Sequence, residues 1–263
     1  MAEVKAAAVV ADKDRNRWPE LVYRLIEHYK WEPQHLGIGK KEKVPIFYKR
    51  VRQQEVPLNF LFQLLLRWSS SETISQILAS FENPNLTAEC GLGLLFPSDF
   101  NFIQPDVWIE SERATVFIEI KVGAITGLEQ VQKYLLLHAH LDNRDGEKRP
   151  YLLFLTESEF MNCWRPPPKA ALANGIQEFL VAATASAALP KRLEKRAGKL
   201  AGRYEAVRSD VKYGVATWNS VGETLKAIRS QWKQPGSNDV EIRVVDDFLE
   251  DLKQRKLWMS GPD

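Results

Sequence analysis

Residues 105–122 read PDVWIESERATVFIEIKV, two alternating runs separated by a short polar reversal. In the second run Val116, Ile118, Ile120 and Val122 alternate with Phe117, Glu119 and Lys121. Successive side chains of a strand point to opposite faces, so one face is aliphatic and the other presents an aromatic ring, a carboxylate and an ammonium. A strand this rich in β-branched residues belongs inside a sheet, covered on both sides. Charges placed there are costly unless they pair with each other or with a metal. The first run, Asp106–Glu110, docks on the second through the reversal Ser111–Ala114. With the tip between Glu112 and Arg113, Asp106 lies opposite Glu119, and a slip of one residue would turn every side chain to the other face. Pro105 suits the start of a strand, where no ladder donor is needed. Asp106, Glu119 and Lys121 are thus expected at one end of a hairpin. Two carboxylates held close repel unless a cation lies between them, and such oxygen ligands suit Mg²⁺ or Mn²⁺. The competing expectation is a solvated hairpin face with a salt bridge, against which the aliphatic run argues.

Around this hairpin, apolar residues recur at helical spacing. Helices are expected over residues 17–30, 56–68, 72–81, from Thr126 to about Leu141, over 176–189, 191–208 and 219–232, and from about 243 to 257. Thr126 and Glu129 have the form of a capping box, and Gln130 and Tyr134, four apart, share a helix face. Strands are expected at 86–96, 150–156 and 211–218. The run 191–203 carries Lys191, Arg192, Lys195, Arg196, Lys199 and Arg203 against the single acid Glu194. A basic stripe of this kind is what contact with a phosphate backbone needs, and it is also what a solvated helix face looks like. A second basic cluster occupies residues 40–52.

Bulk properties narrow the class. The chain has 263 residues, 44% of them hydrophobic and 27% charged, with a net charge of +2. That composition describes a soluble globule, and the charge neither demands nor excludes nucleic acid. Two cysteines, Cys90 and Cys163, make neither a disulfide framework nor a zinc site, which points to a reducing, cytoplasmic setting. The start of the chain has too short an apolar run for a signal peptide, and no stretch is apolar enough to span a membrane. His138 and His140, two apart on a helix, point in different directions and are not expected to bind zinc.

Pro105-Asp106, followed by Glu119-Ile120-Lys121, resembles the signature of the PD-(D/E)xK nuclease superfamily, and Gln130-Val-Gln-Lys-Tyr134 is similar to the QxxxY element of its RecB-like branch. The resemblance runs over roughly residues 57–230 and is carried specifically by about thirty of them. It implies an α/β fold with a restriction-endonuclease-like core: a mixed sheet of four to five strands flanked by helices, with helical additions. On that basis residues 1–56 form a helical and basic extension, 57–235 the core with a helical insertion at about 170–209, and 236–263 a C-terminal helix packed on the core. The implied activity is metal-dependent hydrolysis of DNA phosphodiester bonds, in defence against foreign DNA or in repair, by a homodimer. Asp106, Glu119 and the Ile120 carbonyl would hold Mg²⁺ or Mn²⁺, and Lys121 would orient or deprotonate the attacking water. Gln130 would position water or substrate; it is equally what a capped helix carries. Tyr134 is either a substrate contact or a core residue. Members of the superfamily commonly add an upstream acid, for which Glu89 is the candidate and Glu72 the runner-up; the early helix shows Asn59 and Gln63 where the family has a glutamate. Trp108, on the same face as Asp106, would wall the cleft. Lys191, Arg192, Lys195, Arg196 and Lys199 would contact DNA. The alternative is a module of the same fold that binds nucleic acid or regulates without cleaving.

Overall fold

The computed structural model describes residues 17–19, 21–23, 55–81, 83, 85–90, 93–97, 103–122, 128–141, 148–157, 180, 184, 191–232 and 239–259. The chain divides into two units, Ser69–Thr224 on one hand and Met1–Trp68 with Leu225–Asp263 on the other. The expected leader, the basic cluster at 40–52, the capping threonine Thr126 and most of the expected helix 176–189 lie outside the described residues. Among the described residues, no helix is long and apolar enough to cross a membrane.

The unit Ser69–Thr224 is an α/β layer built on a four-stranded mixed sheet in the order β1-β2-β3-β4. The strands are β1 (Val107–Glu110), β2 (Ala114–Ile120), β3 (Arg149–Thr156) and β4 (Lys212–Thr217). β1 and β2 form the expected antiparallel hairpin, with Val107 opposite Ile118 and Trp108 opposite Phe117. That is the register which puts Asp106 at the level of Glu119. Ser111 closes the turn: its N–H donates to the Ala114 carbonyl at 2.9 Å, and its hydroxyl accepts from Ala114 N at 3.0 Å. β2 and β3 pair in parallel, as do β3 and β4. Parallel neighbours need a crossover, and helices supply both of them here. All seven residues of β2 are buried, which explains its apolar run of Ala114, Val116, Phe117, Ile118 and Ile120 and makes Glu119 the charged exception.

One crossover contains a helix at Leu128–Leu141 and the other contains helices at Lys191–Lys199 and Ala201–Asp210. Leu135, Leu193, Ala197, Tyr204 and Val207 from these helices pack in one core with Trp108, Phe117, Leu152, Phe154 and Tyr213 from the sheet. The segment expected as one helix over 191–208 is therefore two, broken at Leu200. Gly198 and Gly202 flank the break, and glycine is a poor helix former.

Residues 86–96 differ from the expected strand. Leu86–Cys90 is a short helix, and among the described residues of this segment Leu95 alone bridges to Glu110 of β1. The cause is local. Asn83 accepts from Asn85 N through its side chain, an Asx turn, and its Nδ2 donates to the Tyr213 carbonyl at 3.1 Å. The carbonyls of Asn83 and Asn85 then accept from Leu86 N and Glu89 N. Leu86 and Cys90, four apart, are both buried. The sheet consequently has four strands. Its other helical neighbours in this unit include Ser71–Ala79, capped by the Ser70 hydroxyl on Thr73 N. At the end of this helix Phe81 comes close to β4, where a Cβ on Gly214 would meet the Phe81 carbonyl oxygen at 2.5 Å and Leu153 at 3.0 Å.

The second unit pairs two helices, Glu55–Trp68 and Asp239–Arg255. Phe62 and Phe248 meet across them, Trp18 stacks on Phe248, and the Trp18 indole donates to the Val244 carbonyl. Asp251 accepts from the Tyr23 hydroxyl at 2.8 Å and from Arg255 Nε at 2.6 Å, with all three side chains buried. The C-terminal helix ends in a Schellman turn. Leu257 N donates to Leu252 O, Lys256 N donates to Lys253 O, and Lys256 takes the left-handed position at φ 62°.

Two substitutions test these packing and turn arguments. Gly214→Ala is expected to cost about 1–3 kcal/mol, because the new methyl meets backbone that cannot rotate away; a urea midpoint equal to the parent's would refute this. Lys256→Gly is expected to stabilise by about 1 kcal/mol by relieving the left-handed conformation, seen as a raised melting temperature.

Candidate active site

The end of β2 gathers the charged groups of the opening stretch. Asp106 stands just before β1, where the ladder has ended, and its side chain continues the pairing: Oδ2 accepts from Ile120 N at 2.8 Å. Glu119, on the face covered by the crossover helices, is only 1% exposed. Its Oε1 lies 2.5 Å from Lys121 Nζ, the next residue along the same strand face. Its Oε2 accepts from the Tyr134 hydroxyl, and that hydroxyl accepts in turn from Gln130 Nε2 at 3.2 Å. The four groups form a chain running Gln130, Tyr134, Glu119, Lys121. A buried carboxylate needs this compensation, since an unpaired one would be strongly destabilising.

Burial raises the Tyr134 pKa well above the ordinary tyrosine value, and Glu119 and then Asp106 add to the effect through their charge. The phenol stays protonated and donates to Glu119. Its ring packs against Phe117 and is buried, so it offers no surface for a base to stack on.

The donor set suits a hard divalent cation. Asp106 and Glu119 supply carboxylate oxygens. Ile120 directs its N–H to Asp106, and the carbonyl of a strand residue shares the direction of its N–H, which turns the Ile120 oxygen to the same edge. Among the described residues there is no group of three or more His, Cys, Asp and Glu side chains placed for a metal. Two carboxylates and a carbonyl match the sparse protein ligation of Mg²⁺, which keeps waters and takes phosphate oxygens for the rest.

Glu89, expected to join the acids, is held elsewhere. It pairs with Arg149 Nη1 at 2.5 Å and accepts from the Tyr151 hydroxyl, while its backbone carbonyl accepts from Ser111. Arg149 and Tyr151 lie at the beginning of β3, beside Ala114 and Val116 and away from Glu119. Glu89 thus clamps the hairpin-turn end of the sheet. Beside it, Cys90 is a free thiol, its pKa pushed up to about 12 by burial and then by Glu89. Glu72 is exposed in the first turn of its helix. Asn59 is buried in the other unit. Trp108 is buried edge-on against Phe117, with its indole donating to Glu110, and forms part of the core under the site. Lys195 and Lys199 are exposed, and the side chains of Lys191, Arg192 and Arg196 lie outside the described residues.

The link from Tyr134 to Glu119 was not read from the sequence. Its signal was present in the shared face of Gln130 and Tyr134, but nothing in the spacing says which strand residue that face meets. His138, one turn further on, stacks on Phe117 at 4.0 Å and donates from Nε2 to the Tyr151 carbonyl. Burial lowers its pKa to about 3.

Comparison of the chain with protein-family models, with curated proteins and with solved structures found no match.

The buried imidazole predicts an acid-labile fold. The folded ring resists protonation, so the stability it contributes is complete above about pH 6.5 and is lost as pH falls toward its folded value. The limiting slope is about 1.4 kcal/mol per pH unit for this one group. His138→Gln, which keeps a donor for Tyr151, is expected to flatten that limb when urea midpoints are compared between pH 7 and 4. An unchanged acid limb in the variant would show that His138 is not its source.

Proposed function

We propose that this chain is a metal-dependent nuclease with a restriction-endonuclease-like core that hydrolyses phosphodiester bonds of DNA. The observation that carries the proposal is Asp106 bonded to Ile120 N, the residue next to buried Glu119, with Lys121 paired to Glu119 at the end of β2. Asp106, Glu119 and the Ile120 carbonyl would hold Mg²⁺ or Mn²⁺, whose chemistry is to lower the pKa of a bound water and neutralise charge developing on phosphate. Lys121 orients the attacking water and stabilises the extra negative charge on the five-coordinate phosphorus. As the water oxygen bonds to phosphorus, a P–O ester bond breaks, and the proton given up by the water is balanced by the one the departing oxygen takes up. Tyr134 and Gln130 act through Glu119, holding its carboxylate in one rotamer. A homodimer would bring two such sites to two strands.

A second reading, a nucleic-acid-binding module that does not cleave, is favoured by one observation. Both oxygens of Glu119 are already engaged, by Lys121 and by Tyr134.

Incubation of labelled duplex DNA with the full chain in Mg²⁺ or Mn²⁺ separates the two. The nuclease reading expects cleavage that Lys121→Ala lowers about 100-fold or more, with a smaller loss in Tyr134→Phe. Steeply salt-dependent binding with no cleavage under either ion would establish the second reading instead.

A further inference from the structure

The run 191–210 contains two glycines, flanking the break at Leu200, whose positions neither φ nor close packing reserves for glycine. Neither Gly198 nor Gly202 takes a left-handed φ, and a Cβ at either would meet nothing within 4 Å. Both sit in helices, where glycine is among the poorest formers. They alternate with Lys195, Lys199 and Arg203, and all five residues are exposed. Leu193, Ala197, Tyr204 and Val207 point the other way, into the core that also holds Phe117 and Tyr134. The exposed residues therefore form the outer surface of the helical layer covering the sheet face from which Glu119 projects.

The charge of this surface is unbalanced. Arg208 pairs with Glu205, Lys133 with Glu129, Lys148 with Glu110 and Arg149 with Glu89. Among the described residues, no carboxylate is paired with Lys195, Lys199 or Arg203. Lys195 and Lys199 are one helical turn apart and lie side by side. The sequence between Lys191 and Arg203 places six basic residues against Glu194.

We infer that this face, with Gly198 and Gly202 as its floor and Lys195, Lys199 and Arg203 as its posts, seats the sugar-phosphate backbone of duplex DNA. Side chains longer than hydrogen at the two glycines would hold the backbone away from the helix surface. The three cations supply the attraction that a polyanion needs and that an uncharged partner would not use. The inference rests on the nucleic-acid reading above, and it names where on the chain the substrate is gripped.

The test measures binding apart from cleavage. The full chain is titrated with a short labelled DNA duplex in Ca²⁺ buffer at several salt concentrations. Replacing Lys195, Lys199 and Arg203 together by Ala is expected to weaken binding and to reduce the slope of log Kd against log salt by about 2 to 3. Gly198→Gln with Gly202→Gln leaves the charge unchanged. This pair is expected to melt no lower than the parent yet to bind at least about fivefold more weakly, because Gln forms helix better than Gly. Parent-like affinity in either variant overturns the inference. If the glycines serve only to break the helix at Leu200, the Gln pair binds normally, and that result too overturns it. The same proteins are then assayed with Mg²⁺. Intact, salt-dependent binding without cleavage sinks the hydrolase reading and leaves this inference standing; cleavage with both variants binding like the parent does the reverse.

Discussion

A strand buried on both faces has to carry a carboxylate at its end, and the unit Ser69–Thr224 is arranged around that constraint. Glu119 is covered by the helix Leu128–Leu141, so water cannot solvate it. Burying such a charge without compensation would cost several kcal/mol. Lys121 answers one oxygen from the same strand, and Tyr134 answers the other from the covering helix. The Tyr134 hydrogen bond thereby ties helix to sheet through polar contact, in a layer otherwise held by Phe117, Leu152 and Phe154. A buried acid with two donors already in place has its rotamer set by them.

Asp106 is held on a different principle. It stands at the ladder's end, where Ile120 N has no strand partner from β1, and its own carboxylate supplies one. The backbone donor fixes one oxygen and leaves the group at the edge of the site, partly exposed. One acid is locked by burial and the other by a backbone bond. Glu89, an acid of the same kind, performs a structural task at the opposite end of the strands, closing the hairpin turn onto the start of β3 with Arg149 and Tyr151.

The second unit solves the same problem of a buried acid with a different set of donors. Asp251 takes the Tyr23 hydroxyl and the Arg255 guanidinium. Burial, with the charge of Asp251 after it, raises the Tyr23 pKa well above the ordinary value, so this phenol too remains a donor. In both units a tyrosine satisfies a carboxylate that a cation alone would leave half bonded.

Local patterning determined the hairpin, its register, the two later strands and most helices. Alternation and helical spacing are properties of a few neighbouring residues, and burial acts on them directly. It also marked Asp106, Glu119, Lys121 and the pair Gln130–Tyr134 as groups to be explained. Tertiary structure decided the rest. The segment at Leu86 alternates poorly and became a helix because Asn83 turned the chain and bonded to β4, a contact 130 residues away in sequence. Glu89 went to Arg149, 60 residues further on, and so could not join the other acids. Tyr134 met Glu119 only because the crossover lays its helix across β2. Spacing shows which side chains share a face; the packing of one element on another selects the partner across it, and that choice depends on the shape and charge of distant residues.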